Sequence, residues 1–162
     1  MELSTKTRRV YIETTIPSYL TARPSRDIVQ AARQQLTREW WDVERRNYDL
    51  CISQIVLDEA AAGDAEAAQR RLAVIDTLPL LDLTFEVDAL AETIMQSGLL
   101  PASASRDAVH IAVTAVHQVH FLLTWNCRHI ANATIFRDLQ HIIMSAGHDM
   151  PVICTPEELL GD

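Results

Sequence analysis

Val10-Tyr11-Ile12-Glu13-Thr14-Thr15-Ile16-Pro17 is the stretch from which the fold is read. Val10, Tyr11 and Ile12 are β-branched or aromatic and present no polar side. That is the pattern of a strand buried on both faces of a parallel sheet. The run ends on an acid, two hydroxyls follow, and Pro17 is expected to stop the strand. In an open α/β sheet, ligands bind beyond the carboxyl ends of the strands. Glu13 therefore stands where chemistry is expected, although on this stretch alone a solvated acid at a strand end is the simpler reading.

Outward from residues 10–13, strands and helices alternate. Arg23-Pro24-Ser25 reads as a turn. Ile28, Ala32, Leu36, Trp40 and Val43 recur at helical spacing and predict a helix over 27–46. Residues 48–53 form a second strand. Ile55, Val56, Glu59 and Ala60 then lie on a short helix that ends at Gly63. Asp64 caps a further helix with Ala68, Leu72 and Ile75 inward. Residues 80–83 make a third strand. Thr84 caps a helix striped by Val87, Leu90, Ala91, Ile94 and Met95. After Pro101-Ala102-Ser103, Ser103 or Ser105 is expected to cap a helix reaching about Gln118 and apolar almost all round, so that it is buried. Residues 121–124 are a fourth strand. Ile135, Phe136, Leu139, Ile142 and Ile143 mark a helix ending at Gly147, and 152–154 is a last strand. Thr155-Pro156-Glu157-Glu158 then has the form of a helix start with a capping box. The four glycines, Gly63, Gly98, Gly147 and Gly161, each follow a helical pattern, where a left-handed cap is wanted. Such alternation predicts an α/β fold with a parallel sheet and helices on both faces.

Composition narrows the class. With 162 residues the chain fits a single domain, residues 1–162, and 48% hydrophobic content argues against a disordered chain. A net charge of −8 makes it a poor passive binder of nucleic acid. It leaves open an enzyme that meets phosphate through a bound cation. Three cysteines without C-x-x-C spacing suit a reducing compartment, and the expectation is a cytoplasmic protein. Residues 1–9 are not followed by an apolar core of signal-peptide length. No apolar run approaches the roughly 20 residues a membrane span needs.

The missing motifs prune further. Without G-x-G-x-x-G, G-x-x-x-x-G-K-[ST] or G-x-S-x-G, there is no Rossmann cofactor, P-loop or nucleophile elbow to expect. His117 and His120 form H-x-x-H, a pattern more often met in exposed polar residues than in metal ligands. What remains are acids in unusual places. Glu59 shares a helix face with Ile55 and Val56, so it points inward while Asp58 turns to solvent. Asp107 opens the most apolar helix, where the helix dipole alone favours a carboxylate. For Glu59 the plain alternative is an acid paired with an arginine. For Asn126, just after the fourth strand, it is a turn residue. Together Glu13, Glu59, Asp107 and Asn126 each follow a strand or open a helix past one end of the sheet. Converging carboxylates repel one another unless a cation sits among them. Oxygen ligands of this kind suit Mg²⁺ or Mn²⁺, which activate water for in-line phosphoryl transfer.

The chain resembles PIN-domain proteins of the VapC-like type II toxin kind. The likeness lies in the run from Val10 through Pro17 to Leu20, in Ile52-Ser53-Gln54-Ile55-Val56-Leu57-Asp58-Glu59 with Gly63, in Arg106-Asp107-Ala108-Val109-His110-Ile111-Ala112, and in Leu122-Leu123-Thr124-Trp125-Asn126-Cys127-Arg128-His129-Ile130. It spans most of the chain, and the order and spacing of its motifs carry it. The resemblance implies a three-layer α/β/α fold around a parallel sheet of four or five strands. It implies Mg²⁺- or Mn²⁺-dependent ribonuclease activity, an antitoxin partner and a homodimer. By position Glu13 stands where the family usually has Asp. Glu59 and Asp107 match the second and third acids, and Asn126 and His129 fall where further acids often sit. Glu13 is one methylene longer, moving its carboxylate by up to about 1.5 Å. Asn126 and His129 remove negative charge. One well-held ion and low activity are the expectation.

The expected site is thus Glu13, Glu59 and Asp107 as metal ligands and catalytic acids with Asn126. Thr14, Arg128 and His129 serve substrate binding. Arg23 and Arg26 are further candidate RNA contacts, and Trp40 or Trp41 a candidate partner surface. Two rivals stay open. One is a degenerate PIN-fold module acting by binding RNA or a protein partner. The other is a housekeeping nuclease without an antitoxin.

Overall fold

A computed structural model describes residues 7–161. The N-terminal reading on residues 1–6 lies outside that range. Five parallel strands form one sheet in the order β3-β2-β1-β4-β5. They are β1 (Arg9–Ile12), β2 (Asp49–Ser53), β3 (Leu80–Leu81), β4 (Phe121–Leu123) and β5 (Val152–Cys154). β1 is the central strand, with Val10 opposite Leu50 on one side and Phe121 on the other. Val10, Tyr11 and Ile12 are fully enclosed, which is why the run needs no polar face. From β1 the chain winds outward through β2 to β3. It then crosses back to build β4 and β5 on the other side, so strand order reverses between β1 and β4.

The helices are α1 (Thr15–Thr21), α2 (Ile28–Asp42), α3 (Gln54–Ala60), α4 (Ala65–Ile75), α5 (Phe85–Gln96), α6 (Ser105–Val116) and α7 (Phe136–Ser145). α1 packs on α2 and α4, whereas α5 packs on α6 and α7, giving helices on both faces of the sheet. Asp27 caps α2, its carboxylate accepting from Gln30 N–H, and the capping expectation holds at Asp64, which accepts from Ala67 N–H. Thr84 caps α5 through Val87 N–H.

Five expectations are corrected. Pro17 does not merely end β1. It lies in the first turn of α1, where a missing N–H costs nothing because that donor has no helical partner. The helix read over 27–46 stops at Asp42 and gives way to a 3₁₀ turn, Glu44–Asn47, in which Arg46 Nε donates to the freed carbonyl of Val43. Neither Ser103 nor Ser105 caps α6. A 3₁₀ turn, Ala102–Ala104, runs directly into it and leaves Ala104 at the cap position without a side-chain acceptor. Thr155 and Glu158 do form a reciprocal capping box. Only a turn follows, over residues 156–159, and not a helix. Trp40 and Trp41 are both buried, so neither offers a partner surface.

Candidate active site at the carboxyl edge of the sheet

Glu13 N–H donates to the carbonyl of Leu123, carrying the β1–β4 ladder one residue past the strands. The side chain therefore sits at the strand-order reversal, where ligands bind in open α/β sheets. Its Oε2 accepts from the Thr15 N–H at 3.0 Å, from the Thr15 hydroxyl, and from the Thr124 hydroxyl at 2.8 Å. Those hydroxyls are themselves fixed, since Thr15 Oγ1 accepts from Trp125 N–H and Thr124 Oγ1 from Asn126 N–H. Glu13 is only 4% exposed. Burial raises its pKa, and the nearby His110 charge and the threonine donors offset that only in part. The methylene that lengthens Glu13 relative to Asp is thus accommodated by a threonine pocket that draws the carboxylate toward β4.

Glu59 comes from α3. Val56 and Ala60 of the same helix are buried, and Glu59 is partly so, while Asp58 is exposed and accepts from Gln54. The helix-face reading is correct. Glu59 Oε1 lies 2.7 Å from the Thr14 hydroxyl, which donates to it, and 2.6 Å from His110 Nε2. Burial would push Glu59 upward. The hydrogen bond and charge of His110, the Thr14 hydroxyl and the Arg106 charge outweigh it and hold the carboxyl below its ordinary value. Its partner is therefore a histidine rather than the arginine considered above.

Asp107, in the first turn of α6, meets His129 through Oδ2 and Nδ1 at 3.0 Å. His110 follows three residues later on the same helix face, so α6 joins Asp107 to the Glu59 pair. Asn126 Oδ1 accepts from His129 N–H, and its carbonyl accepts from Ile130 and Ala131. Asn126 thereby shapes the turn that delivers His129 to Asp107. Arg23, Arg26 and Arg128 are exposed. Sequence reasoning did not single out His110, Tyr11, Ser53, Thr15 or Thr124. The signal for His110 was available: an imidazole one turn after Asp107 in a helix otherwise apolar almost all round.

The three acids share one pattern. Each has an oxygen anchored by protein donors, namely Glu13 Oε2, Glu59 Oε1 and Asp107 Oδ2. Among the described residues, no hydrogen bond engages Glu13 Oε1, Glu59 Oε2 or Asp107 Oδ1. An all-oxygen donor set of this kind fits a hard divalent cation. In the side-chain positions observed, no group of three or more His, Cys, Asp or Glu among the described residues closes on a single point. The donor types suit the ion, and the carboxylates would have to reorient to gather around one. His117 and His120 take no part. They lie at the opposite end of the sheet, where His117 Nε2 meets the Asp82 carbonyl and His120 Nδ1 accepts from Arg9 N–H. An apolar cavity of about 280 Å³ beside β5, lined by Ile130, Phe136, Leu139, Met150 and Ile153, contains none of the three acids.

No protein-family model matches the chain, and no curated protein does. Among solved structures, VapBC2 from Rickettsia felis bound to a DNA fragment from its promoter superposes with a TM-score of 0.58 at 16% identity, covering 91% of this chain and 98% of that one. At this identity the likeness is one of fold. It supports the three-layer α/β/α fold that the resemblance implied. No described helix is long and apolar enough to cross a membrane.

Proposed function

We propose that this chain is a metal-dependent endoribonuclease and the toxin of a toxin–antitoxin pair. The observation that supports the reading is that Glu13, Glu59 and Asp107 each have one carboxylate oxygen held by protein donors and the other without a hydrogen bond among the described residues. Mg²⁺ or Mn²⁺ held by those oxygens would supply an activated water and charge stabilisation for in-line phosphodiester hydrolysis. The protein's own part is orientation. Thr15 and Thr124 fix Glu13, Thr14 and His110 fix Glu59, and His129 fixes Asp107. Asn126 holds the turn that carries His129. Arg128, with Arg23 and Arg26, is exposed and able to meet an RNA backbone. Arg106 adds positive charge beside Glu59, which eases approach of a phosphate to an otherwise acidic surface.

An antitoxin protein as partner belongs to the same reading, in keeping with the fold likeness to a VapBC2 structure, and so does a cytoplasmic setting. A homodimer is proposed on the same resemblance. The test is cleavage of structured and single-stranded RNA by the purified chain with Mg²⁺ or Mn²⁺. Activity is expected with either ion, lost in EDTA, and reduced at least about 10²-fold in Asp107→Ala while the fold is retained. Cleavage that survives both treatments contradicts the reading.

A second reading draws on the buried, raised Glu13 and on the absence of a closed metal cluster among the described residues. On it the fold works by binding RNA or a protein partner, without hydrolysis. Saturable RNA or antitoxin binding with no cleavage and no Mn²⁺ uptake would select it.

A further inference from the structure

Beneath the three acids runs a chain of buried hydrogen bonds that phosphodiester hydrolysis does not itself require. It begins at Ser53, the last residue of β2, whose hydroxyl lies 2.8 Å from the Tyr11 phenol oxygen. Tyr11 Oη meets His110 Nδ1 at 2.7 Å, and His110 Nε2 meets Glu59 Oε1 at 2.6 Å. Ser53, Tyr11 and His110 are each 0% exposed. Glu59, at 22% for its side chain, is the end of the chain that reaches solvent.

In either ring state His110 Nε2–H donates to the Glu59 carboxylate: the neutral imidazole leaves Nδ1 to accept from the Tyr11 hydroxyl, with the Tyr11 oxygen accepting from Ser53, and the protonated one donates Nδ1–H to the Tyr11 oxygen. Both arrangements end on one oxygen, Glu59 Oε1. The ring planes of Tyr11 and His110 meet edge to face, with centroids 5.7 Å apart, so packing fixes the imidazole as well as hydrogen bonding. The supports are the central strand and the largely buried helix α6. Burying a phenol and an imidazole costs free energy unless each is satisfied, and an apolar pair would fill the same space without that cost. What the polar solution adds over an apolar one is a fixed position for Glu59.

We propose that His110, oriented by Tyr11 and Ser53, is a positioning residue for Glu59: it pins Oε1 and leaves Oε2 as the oxygen available to a divalent cation. This rests on the reading of Glu59 as a metal ligand. Partners that orient a ligand commonly contribute 10–100-fold to metal affinity or activity, by a rough rule. Removing His110 is expected to act on that scale, with Tyr11 contributing less.

The test is Mn²⁺ binding, followed by the electron paramagnetic resonance of free Mn²⁺, alongside RNA cleavage and thermal melting of the same preparations. His110→Ala is expected to weaken Mn²⁺ binding by about 10–100-fold and to slow cleavage similarly. His110→Gln, whose amide N–H can still reach Oε1, is expected to recover most of both. Tyr11→Phe is expected to keep the fold and lose Mn²⁺ affinity by a smaller factor. It also carries the test if His110→Ala does not fold. If His110→Ala or Tyr11→Phe melts earlier yet binds Mn²⁺ like the parent, His110 is only a satisfied core residue and the proposal is overturned. Asp107→Ala separates the two levels. If it too leaves Mn²⁺ binding and cleavage unchanged, the metal-ion reading of the whole site has failed, and not just the role of His110.

Discussion

Glu13 and Glu59 are both partly or fully enclosed acids, yet their surroundings push them in opposite directions. Glu13 is raised by burial, so the native state prefers its neutral form. Its contribution to stability is present below the unfolded-state pKa and is lost as pH rises through the folded value. Glu59 is held down by His110, Thr14 and Arg106 against the opposing effect of burial. Its contribution is present above the unfolded-state pKa and is lost as pH falls through the folded value. In metal-free protein near neutral pH, Glu13→Gln is therefore expected to raise the melting temperature by a few degrees. Glu59→Gln is expected to lower it, since a hydrogen bond to a charged group contributes about 1.5–3 kcal/mol and each kcal/mol moves Tm by about 2–4 °C at this size. On acidification the Glu13→Gln gain should vanish first, and the Glu59→Gln loss should persist to more acid solution. Differential scanning calorimetry against pH checks both signs; equal signs would contradict the assigned surroundings.

At the scale of elements, two helix ends show what is and is not legible from residue type. α7 closes with a Schellman motif, His148 N–H to Ile143 and Gly147 N–H to Met144, with Gly147 at φ 87°. α6 closes the same way, Val119 N–H to Thr114 and Gln118 N–H to Ala115, but the left-handed residue is Gln118 at φ 56°. Glycine announces such an end and glutamine does not. Gln118→Gly is expected to stabilise the protein by up to about 1 kcal/mol, since a side chain in this conformation costs roughly 1–2 kcal/mol and glycine's greater unfolded-state freedom takes back part of the gain. A melting temperature unchanged or lowered would contradict that. α1 was hidden for a related reason. Pro17 reads as a strand stop, and nothing in Thr14 or Thr15 marks a cap, because their hydroxyls serve Glu59 and Glu13 instead of the helix N-terminus. The same diversion explains why the neighbours of the acids were harder to read than the acids. Glu13, Glu59 and Asp107 stand out by periodicity. Thr124 and His110 reach them from elements distant in sequence, and that pairing exists only once the sheet has formed.

Across the whole molecule, alternating strand and helix patterns and the unbroken apolar run at residues 10–12 were enough to place a central parallel strand with an acid at its carboxyl end. Strand order supplied what periodicity lacks. The chain reverses between β1 and β4, and Glu13 bridges that reversal through Thr124. Asp107 and Glu59 are drawn to the same edge by α6 and α3, one tied to His129 and the other to His110. The anchored oxygens fix each acid separately, and on the proposed reading the unengaged oxygens are the ones a cation would take. The most direct measurement is therefore a crystal structure grown with Mn²⁺ and phased for its anomalous signal. The account predicts a Mn²⁺ peak at the carboxyl edge between β1 and β4, in contact with Glu13, Glu59 and Asp107, with the His110 and His129 contacts retained. A map without that peak at millimolar Mn²⁺, or a peak bound away from these three carboxylates, would contradict it.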